Sequence, residues 1–555
     1  MKKEIQHISG YNQSCNDGKK ESIYMQRWLS FHPYEVPHQS DYYYLKLCNE
    51  IYKVLEYDVF PDEEIHISEE QKKDLACFIA CYFEDVISGP GLWHAFITQA
   101  NELYGTYLPF FDPDPDEYYP EEINPEDIHF LLWYYLSMVF RDDSVISPSI
   151  YEWSDHSEQI FEILEREYDM APESFNLKHF FRISAGKLDF YLVRDKLKWI
   201  ILDSWLHFFL GQELREMTEH MFRGDEDDPV PGEARAGYLY DTADSFILMK
   251  HTPLLARRGN EWMAYALGKD HPMHKSLLEM GEKRSGFFFY IGKQGDNLLF
   301  QHIASETELS VTTKSIEVPL DVKPGRSVTY SGFVKWRNEW WFSGAQLAWG
   351  EDNELIRNEK EAEESRMLFG KDPAVKRKEN REIYKSFMKF NQGNPLAFVE
   401  NSRAAEEFIQ DFLAHHNKSL MKSLRKKREG RKINDPDLIP EIKQRIPDAD
   451  LNEIETIPGM VYCDPDTGIE LVFGHNDMIP DPRNKWYTAD NNQEDLADGT
   501  LMMLESKHIS GNWMKYLVSN YNLPGLEFPE LSGRDLLMDN LDFMLRLWKR
   551  EGYFG

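Results

Sequence analysis

The sequence GFFFYIGKQGDNLLFQHI, residues 286–303, decides how the middle of this 555-residue chain folds. Its two ends are rich in aromatic and β-branched residues, which favour strands. The KQGDN segment between them is a short connection that contains glycine and suits a β-hairpin. The pattern therefore predicts two antiparallel strands, set between two long regions of helical periodicity.

A second hairpin follows in SVTYSGFVKWRNEWWFSGAQLAW, residues 327–349, with an Arg-Asn pair at its turn. Alternation along the first strand places Trp336 on an apolar face and Phe333 on the mostly polar face. Gly332 and Gly344 would allow the strands to bend or bulge, as closure of a small sheet requires. The two hairpins predict a sheet of five or six strands.

A small β-barrel of the SH3-like or OB-like size class over residues 286–350 accommodates both hairpins. Such barrels bind peptides or single-stranded nucleic acid through exposed aromatic rings, so Trp336, Trp340 and Trp341 are candidate binding residues. The alternative is that these rings fill the barrel or seal it against neighbouring helices, because aromatic side chains are core formers. Strand alternation predicts that either Trp340 or Trp341 faces solvent.

The composition indicates a folded, acidic protein. The chain has 96 acidic and 62 basic side chains, giving a net charge of −34, and 14% of its residues are aromatic. This charge disfavours general binding to nucleic acid or to an anionic membrane. The basic start of the chain has no apolar segment behind it, and no later run approaches the roughly 18 apolar residues of a membrane span. A cytoplasmic protein without a membrane partner is expected.

The pattern along the chain predicts a multi-domain α+β protein: a mainly helical N-terminal domain, a small SH3-like or OB-like β-barrel in the middle, a helical connector and an α/β C-terminal unit. A capping box at Ser68-Glu-Glu-Gln71 begins a helix that Gly89-Pro90-Gly91 ends. The predicted divisions are a disordered N-terminus (1–22), a helical domain (23–224), an acidic linker with a short helical unit (225–285), the barrel (286–350), the connector ending in a basic segment (351–432) and the α/β domain (433–555).

The five cysteines form no CxxC pair and no paired zinc spacing, which fits reduced, structural thiols. Cys77 and Cys81 are one helical turn apart and could in principle ligate a metal ion. No companion histidine or cysteine lies near them in the sequence, so small buried residues are the expectation. The sequence predicts neither a metal site nor a cofactor.

A strongly basic segment, residues 417–432, stands out in this acidic chain. It is a local candidate for binding nucleic acid or phosphate. The alternatives are a solvated helix end, since basic residues stabilise a helix C-terminus, or docking against one of the protein's own acidic loops. The candidate binding residues are Lys422, Arg425, Lys426, Lys427, Arg428 and Arg431.

The C-terminal part contains the strongest candidate for catalysis. GMVYC (459–463) and GIELVFG (468–474) flank DPDT, which suits a hairpin turn, and a histidine follows the second strand. Carboxylates near a histidine could support metal-assisted hydrolysis, with the aspartates holding the ion and the histidine as base or ligand. The alternative is that the aspartates cap the turn and the histidine lies on the surface. The candidate residues are His475, Asp464, Asp466 and Asp477.

Several stretches together resemble an uncharacterised protein family of Bacteroidota. They are IYMQRWLSFHPYEVPHQSDYYYLKLCNEIY (23–52), FVKWRNEWWFSG (333–344), FNQGNPLAFVENSRAAEEFI (390–409), YCDPDTGIELVFG (462–474) and DNLDFMLRLWKREGYF (539–554). The resemblance implies a bacterial cytoplasmic protein, a domain of unknown function with no assigned activity. It supplies no catalytic residues.

The sequence favours a multi-domain interaction protein that binds a protein partner. It contains no Walker A sequence, no glycine fingerprint, no HExxH and no GxSxG, although an active site assembled from distant single residues would leave no such motif. One alternative is a nucleic-acid-associated protein of defence or mobile-element biology, using the 418–432 segment with the barrel aromatics. The other is a metal-dependent hydrolase near His475.

Overall fold

The computed structural model describes residues 22–56, 67–141, 145–148, 153–183, 189–223, 232–315, 323–325, 327–350, 352–370, 373–428, 456–487, 493–506, 508–523, 526, 533–550 and 553. These residues form two compact units. The first unit consists of the described residues within Met1–Val139 and Pro148–Gly370. The second consists of those within Phe140–Ser147 and Lys371–Gly555. Helices and strands are both abundant, so the predicted mixed α+β class is confirmed.

The first unit is largely helical. Its α-helices are α1 (Met25–Leu29), α2 (Gln39–Glu56), α3 (Glu69–Ser88), α4 (Leu92–Tyr104), α5 (Pro125–Val139), α6 (Trp153–Tyr168), α7 (Phe175–Phe181), α8 (Phe190–Lys198), α9 (Phe209–Arg223), α10 (Gly232–Met249), α11 (Gly259–Leu267), α12 (His274–Leu278), α13 (Asn353–Glu361) and α14 (Glu363–Met367). No single helix in the described ranges has the length and apolar composition to cross a membrane.

Helix α3 begins and ends as its sequence predicts. The Ser68 hydroxyl accepts a hydrogen bond from the Gln71 backbone N–H at 3.3 Å, and the Gln71 side chain accepts one from the Ser68 N–H at 2.7 Å. Gly89 then ends the helix in the left-handed conformation, with φ of 69°. Two donors that the first turn leaves without intrahelical partners are satisfied in this way, which fixes where the helix starts.

The apolar run 192–210 does not form one continuous helix. Helix α8 ends at Lys198 and continues as a π-helical turn, Trp199–Asp203. The Ser204 N–H donates a hydrogen bond to the carbonyl of Trp199, the first residue of that turn, at 2.7 Å. Ser204 itself has extended backbone geometry. The chain then turns before α9 begins at Phe209. Apolar periodicity cannot show such a break, because both halves are buried.

The middle of the chain forms a mixed sheet of β1 (Arg284–Gln294), β2 (Asn297–His302), β3 (Glu308–Thr312), β4 (Val328–Trp336) and β5 (Glu339–Trp349). The strands pair in the order β1-β2-β3-β5-β4, and β4 also pairs with β1. Both predicted hairpins, β1–β2 and β4–β5, are present. The β3–β5 edge is parallel and joins at Val311 and Trp340. A barrel of the SH3-like or OB-like class stays a prediction, because β3 and β5 pair at this one position.

Phe333 lies inside this sheet, and its predicted place on the polar face is wrong. The register between β4 and β5 shifts between Ser331 and Phe333, which interrupts strict alternation. Gly332 makes the shift possible, because an added Cβ would lie 2.1 Å from the Ser343 carbonyl oxygen. The fully buried Phe333 ring therefore joins a core of aromatic side chains that includes Phe288, Phe300 and Phe342.

The second unit contains a three-stranded sheet with helices around it. Its strands are β6 (Leu396–Val399), β7 (Gly459–Asp464) and β8 (Gly468–Phe473), and its helices are α15 (Pro373–Phe390), α16 (Ser402–Arg428), α17 (Gln493–Glu505), α18 (Gly511–Asn520), α19 (Gly533–Asp539) and α20 (Leu541–Trp548). The strand order is β6-β7-β8 with antiparallel neighbours, and the predicted β7–β8 hairpin is present.

Strand β6 lies inside the region predicted as a continuous helical connector, 351–432, so that prediction is wrong at this point. Gln392 and Gly393 both have positive φ values, 55° and 88°, and they end α15. The short apolar strand that follows pairs with β7 through its full length. A four-residue strand gives too weak a periodic signal to be separated from the helices on either side.

Candidate functional site

A cluster of buried charges lies where α8, α10 and the mixed sheet of the first unit meet. The Lys283 ammonium group lies 2.7 Å from Asp241 Oδ1 and 3.5 Å from Asp244 Oδ2, and its side chain has no exposed surface. Arg194 forms an ion pair with Asp244, and the Ser343 hydroxyl donates a hydrogen bond to the same carboxylate. We refer to these five residues as the Lys283 cluster. The positive charges of its two basic side chains equal the negative charges of its two carboxylates, so the cluster has no net charge.

Further hydrogen bonds join the Lys283 cluster to both secondary-structure layers. The Lys283 ammonium also donates to the Asp241 carbonyl at 2.8 Å and to the Ser245 hydroxyl at 2.9 Å, both on α10. From β4, the Tyr330 hydroxyl donates to Asp241 Oδ2 at 3.0 Å. Every charge in the cluster has a partner of opposite sign, so we interpret it as the element that fixes the sheet on α10 and not as a reactive centre.

A second buried polar centre lies between the end of α1 and the middle of α3. His32 Nε2 lies 2.7 Å from Glu84 Oε2, and His32 Nδ1 lies 2.9 Å from the Trp28 carbonyl oxygen. Burial alone would lower the pKa of His32, but the adjacent Glu84 carboxylate and, more weakly, Asp41 shift it upward overall. Sequence reasoning missed this centre because 52 residues separate the histidine from the glutamate.

The predicted tryptophan site is not formed as an exposed aromatic surface. Trp336 and Trp341 are 1% and 4% exposed, so neither ring is available to a ligand. The Trp341 ring packs against Phe190 and Tyr191 of α8, with centroids 6.1 and 6.2 Å away. Trp340 is half-buried near Phe369. The alternative interpretation, that these rings seal the sheet against helices, describes Trp341 correctly.

The predicted basic site lies largely outside the described part of the structure. Helix α16 extends through Arg428, so the backbone of the first five candidates is helical. The structure does not describe the side chains of these five residues, and Arg431 lies outside the described residues altogether. Whether this segment binds nucleic acid or phosphate therefore stays a prediction. The five helical candidates are Lys422, Arg425, Lys426, Lys427 and Arg428.

The predicted hydrolase residues lie in two places, with Asp464 and Asp466 at one end of β8 and His475 and Asp477 beyond the other. Asp464 lies at the turn of the β7–β8 hairpin, where Oδ1 accepts hydrogen bonds from the backbone N–H groups of Asp466 and Thr467 at 2.7 and 3.0 Å. Asp466 pairs with Arg381. His475 follows the other end of β8, a six-residue strand that spans about 20 Å at ~3.3 Å per residue. The four candidates therefore do not share one site: Asp464 caps the turn, and hydrolysis near His475 and Asp477 stays a prediction.

A shallow cleft remains near the histidine. It has a volume of about 330 Å³ and is lined by Gly474, His475, Asp477, Met478, Asp498, Gly499 and Met502. Burial lowers the pKa of His475, while the Asp477 carboxylate opposes that shift. In the part of the chain that the structure describes, the cleft residues are not among the groups whose donor atoms could converge on one metal ion. The cleft thus gives metal-assisted hydrolysis little support.

An ionic contact beside β6 leads to a pH-dependent prediction. Arg483 donates to both oxygens of Asp481, at 2.9 and 2.6 Å, and the Tyr521 hydroxyl donates to Oδ2 at 2.6 Å. Chiefly through Arg483, these bonds lower the pKa of Asp481 to about 2. The resulting stability is present above the ordinary aspartate pKa and is lost as pH falls toward 2.

We therefore expect Asp481→Asn to lower the free energy of unfolding of the second unit by about 1–3 kcal/mol at pH 7. In thermal unfolding experiments, the difference in stability between this variant and the wild type should shrink steadily as the pH falls from 4 to 2.5. Asp498→Asn, which changes an exposed aspartate of the same unit, is the matched control. A constant effect of Asp481→Asn across this pH range would contradict the assignment.

The first unit also displays a concentration of exposed apolar side chains. Val36, Tyr42, Met170 and Phe175 are 69%, 63%, 67% and 66% exposed, which places them among the most exposed large apolar residues described. Val36 precedes α2, Tyr42 lies within it, Met170 follows α6 and Phe175 begins α7. We call these four residues the Phe175 surface.

Hydrogen bonds hold the two segments of the Phe175 surface together. The Tyr43 hydroxyl donates to Glu167 Oε2 at 2.8 Å, and the Tyr44 hydroxyl donates to the Pro172 carbonyl at 2.8 Å. The Tyr34 and Ser174 hydroxyls lie 3.5 Å apart. Segments 34–44 and 167–175 are therefore neighbours in the first unit, and each contributes two of the four exposed side chains.

Comparison with known proteins finds a similarity in the N-terminal part of the chain. Residues 22–285 match the family model described as "Protein of unknown function (DUF3843)". This match confirms the expectation of a family of unknown function. The matched residues include the Phe175 surface, the His32–Glu84 centre and the Lys283 cluster except Ser343. No curated protein and no solved structure matches the chain.

Proposed function

We propose that this chain is a cytoplasmic, multi-domain interaction protein and that it binds a partner protein through the Phe175 surface. The observation that carries the proposal is the exposure of four large apolar side chains on two hydrogen-bonded segments. Single exposed apolar residues are normal on protein surfaces, but a concentration of them marks an interaction site. Aromatic and methionine side chains are also enriched at protein interfaces.

The charges near the Phe175 surface indicate what kind of partner fits. Exposed carboxylates at Glu35, Asp169 and Glu173 lie on the same two segments. In a chain with a net charge of −34, this border favours a partner whose apolar residues are bounded by basic side chains. Complementary charge would increase the association rate, while the apolar side chains would supply most of the affinity.

A capture experiment with matched variants tests this proposal. The full chain, tagged and expressed in its own organism, should retain a stoichiometric partner in the wild type. The double variant Met170→Ser, Phe175→Ser should reduce partner recovery at least about tenfold, because losing interface anchors costs about 2 kcal/mol or more. Met502→Ser is the control, since Met502 is 62% exposed but lies in the second unit.

The outcomes separate a docking surface from general stickiness. Unchanged partner recovery by the double variant would overturn the proposal, and so would equal losses in the double variant and the control. Far-ultraviolet circular dichroism should show the same fold for all three proteins, because every substituted side chain is largely exposed.

The proposal also includes the fold of the mixed sheet. Its strand order, which returns from β4 to β1, supports a small barrel of the SH3-like or OB-like class. The cytoplasmic location is supported by the buried, free thiols of Cys48, Cys77, Cys81 and Cys463. The nucleic-acid alternative is weakened because the Trp336 and Trp341 rings are buried. The hydrolase alternative is weakened because Asp464 and Asp466 lie at the far end of β8 from His475.

A further inference from the structure

We infer that His32, Cys81 and Glu84 form a zinc-binding site inside the helical part of the first unit. One ligand atom from each of these side chains lies within 4.8 Å of the other two, and all three residues are buried. They provide one nitrogen, one sulfur and one oxygen. Zinc accepts all three donor types, whereas calcium and magnesium prefer oxygen alone.

His32 is oriented as metal-binding histidines usually are. Its Nδ1 lies 2.9 Å from the Trp28 carbonyl oxygen, so Nδ1–H donates there. In the neutral ring this leaves the Nε2 lone pair directed at Glu84, 2.7 Å away. A hydrogen bond from the second ring nitrogen to a backbone carbonyl fixes the tautomer and the ring plane of a ligand histidine.

The other two donors lie on one face of α3. Cys81 and Glu84 are three residues apart, a spacing that places their side chains side by side on a helix. The side chain of Glu84 is 1% exposed, and its Oε1 atom is buried without a hydrogen-bond partner in the described structure. An unsatisfied buried carboxylate oxygen is costly, and a bound cation would satisfy it.

Charge balance also favours a divalent ion here. Zinc bound by neutral His32, the Cys81 thiolate and the Glu84 carboxylate would form a buried group with no net charge. Binding would release the Cys81 thiol proton and the proton shared by His32 and Glu84 to solvent.

The sequence did not reveal this site because its donors are far apart along the chain. The sequence pairs Cys81 with Cys77, one helical turn away, whereas its histidine partner His32 precedes it by 49 positions. Only the packing of the α1 end against α3 brings them together. The site lies within residues 22–285, the part that matches the family of unknown function.

Metal analysis with matched variants tests the inference. The full chain should be expressed in zinc-supplemented medium, purified without chelators and analysed by mass spectrometry of metals. We expect about one zinc ion per chain in the wild type. Cys81→Ser and His32→Gln should lower the zinc content at least fivefold. Cys77→Ser is the control, because Cys77 is equally buried one turn earlier on α3 but is not in the donor group, and it should keep its zinc.

Cobalt substitution gives a readout of thiolate ligation in the wild-type protein itself. Wild-type protein, stripped of metal and titrated with Co²⁺, should develop thiolate-to-cobalt charge-transfer absorption, which the Cys81→Ser variant should lack. Two results would overturn the inference. One is wild-type protein with neither stoichiometric zinc nor this absorption, and the other is Cys81→Ser with an undiminished zinc content.

Discussion

Replacing Lys283 by methionine is expected to lower the free energy of unfolding of the first unit by about 3–5 kcal/mol, the cost of breaking a buried ion pair. Methionine fills a similar volume, so the loss is chiefly electrostatic. Asp241 would lose its ion-pair partner, while Asp244 would keep Arg194 and Ser343. One buried carboxylate without a counter-charge is far more costly than the pair itself was favourable.

The matched control is Lys314→Met, in the 3-10 turn that follows β3. Lys314 forms an ion pair with Glu339 at 2.9 Å, but the two side chains are 61% and 47% exposed. Exposed pairs contribute about 0–1 kcal/mol, so this change should be nearly silent. Urea unfolding followed by fluorescence of the buried Trp336 and Trp341 measures both. Equal effects of the two substitutions would contradict the assigned role of the Lys283 cluster.

Replacing His207 by phenylalanine is expected to remove much of the acid sensitivity of the first unit. His207 is fully buried, its ring lies 4.7 Å from that of Trp262, and burial lowers its pKa to about 3. An unfolded histidine titrates near 6.5. The stability associated with neutral His207 is therefore complete above pH 6.5 and is lost as pH falls toward 3. Between pH 7 and pH 4.5 the loss is about 2–3 kcal/mol.

The informative quantity is the change in stability with pH, because phenylalanine also alters the packing at every pH. The His207→Phe variant should lose about 2–3 kcal/mol less than the wild type between pH 7 and pH 4.5. His94→Phe is the control, since His94 is exposed on α4 and should leave the wild-type pH dependence in place. A parallel decline of wild type and His207→Phe would show that His207 titrates in the folded protein.

Features that depend on neighbouring residues could be predicted from the sequence. The start of α3 at Ser68, its end at Gly89 and the β1–β2 and β4–β5 hairpins all follow from caps and turns within a few positions. The position of Phe333 could not be predicted, because a bulge at Gly332 changes which residues face inward. Strand β6 could not be predicted either, since its four residues become a strand through pairing with β7.

The candidate sites depend almost entirely on contacts between distant residues. Lys283 is 42 positions from Asp241, and Ser343 is 99 positions from Asp244. In the sequence these residues look like ordinary polar positions on a helix or a strand. The Phe175 surface has the same property, because the exposure of Phe175 depends on which other helices pack around it. Aromatic richness, by contrast, drew attention to Trp336 and Trp341, which are core residues.

Photo-crosslinking from the Phe175 surface tests the proposed function most directly. A photoreactive phenylalanine analogue at position 175, in the full chain within its own cells, should yield one discrete crosslinked species that contains a partner protein. The same analogue at position 502, equally exposed on the second unit, should yield none. Absence of a crosslink at position 175, or the same products from both positions, would contradict the assignment of the Phe175 surface as a docking site.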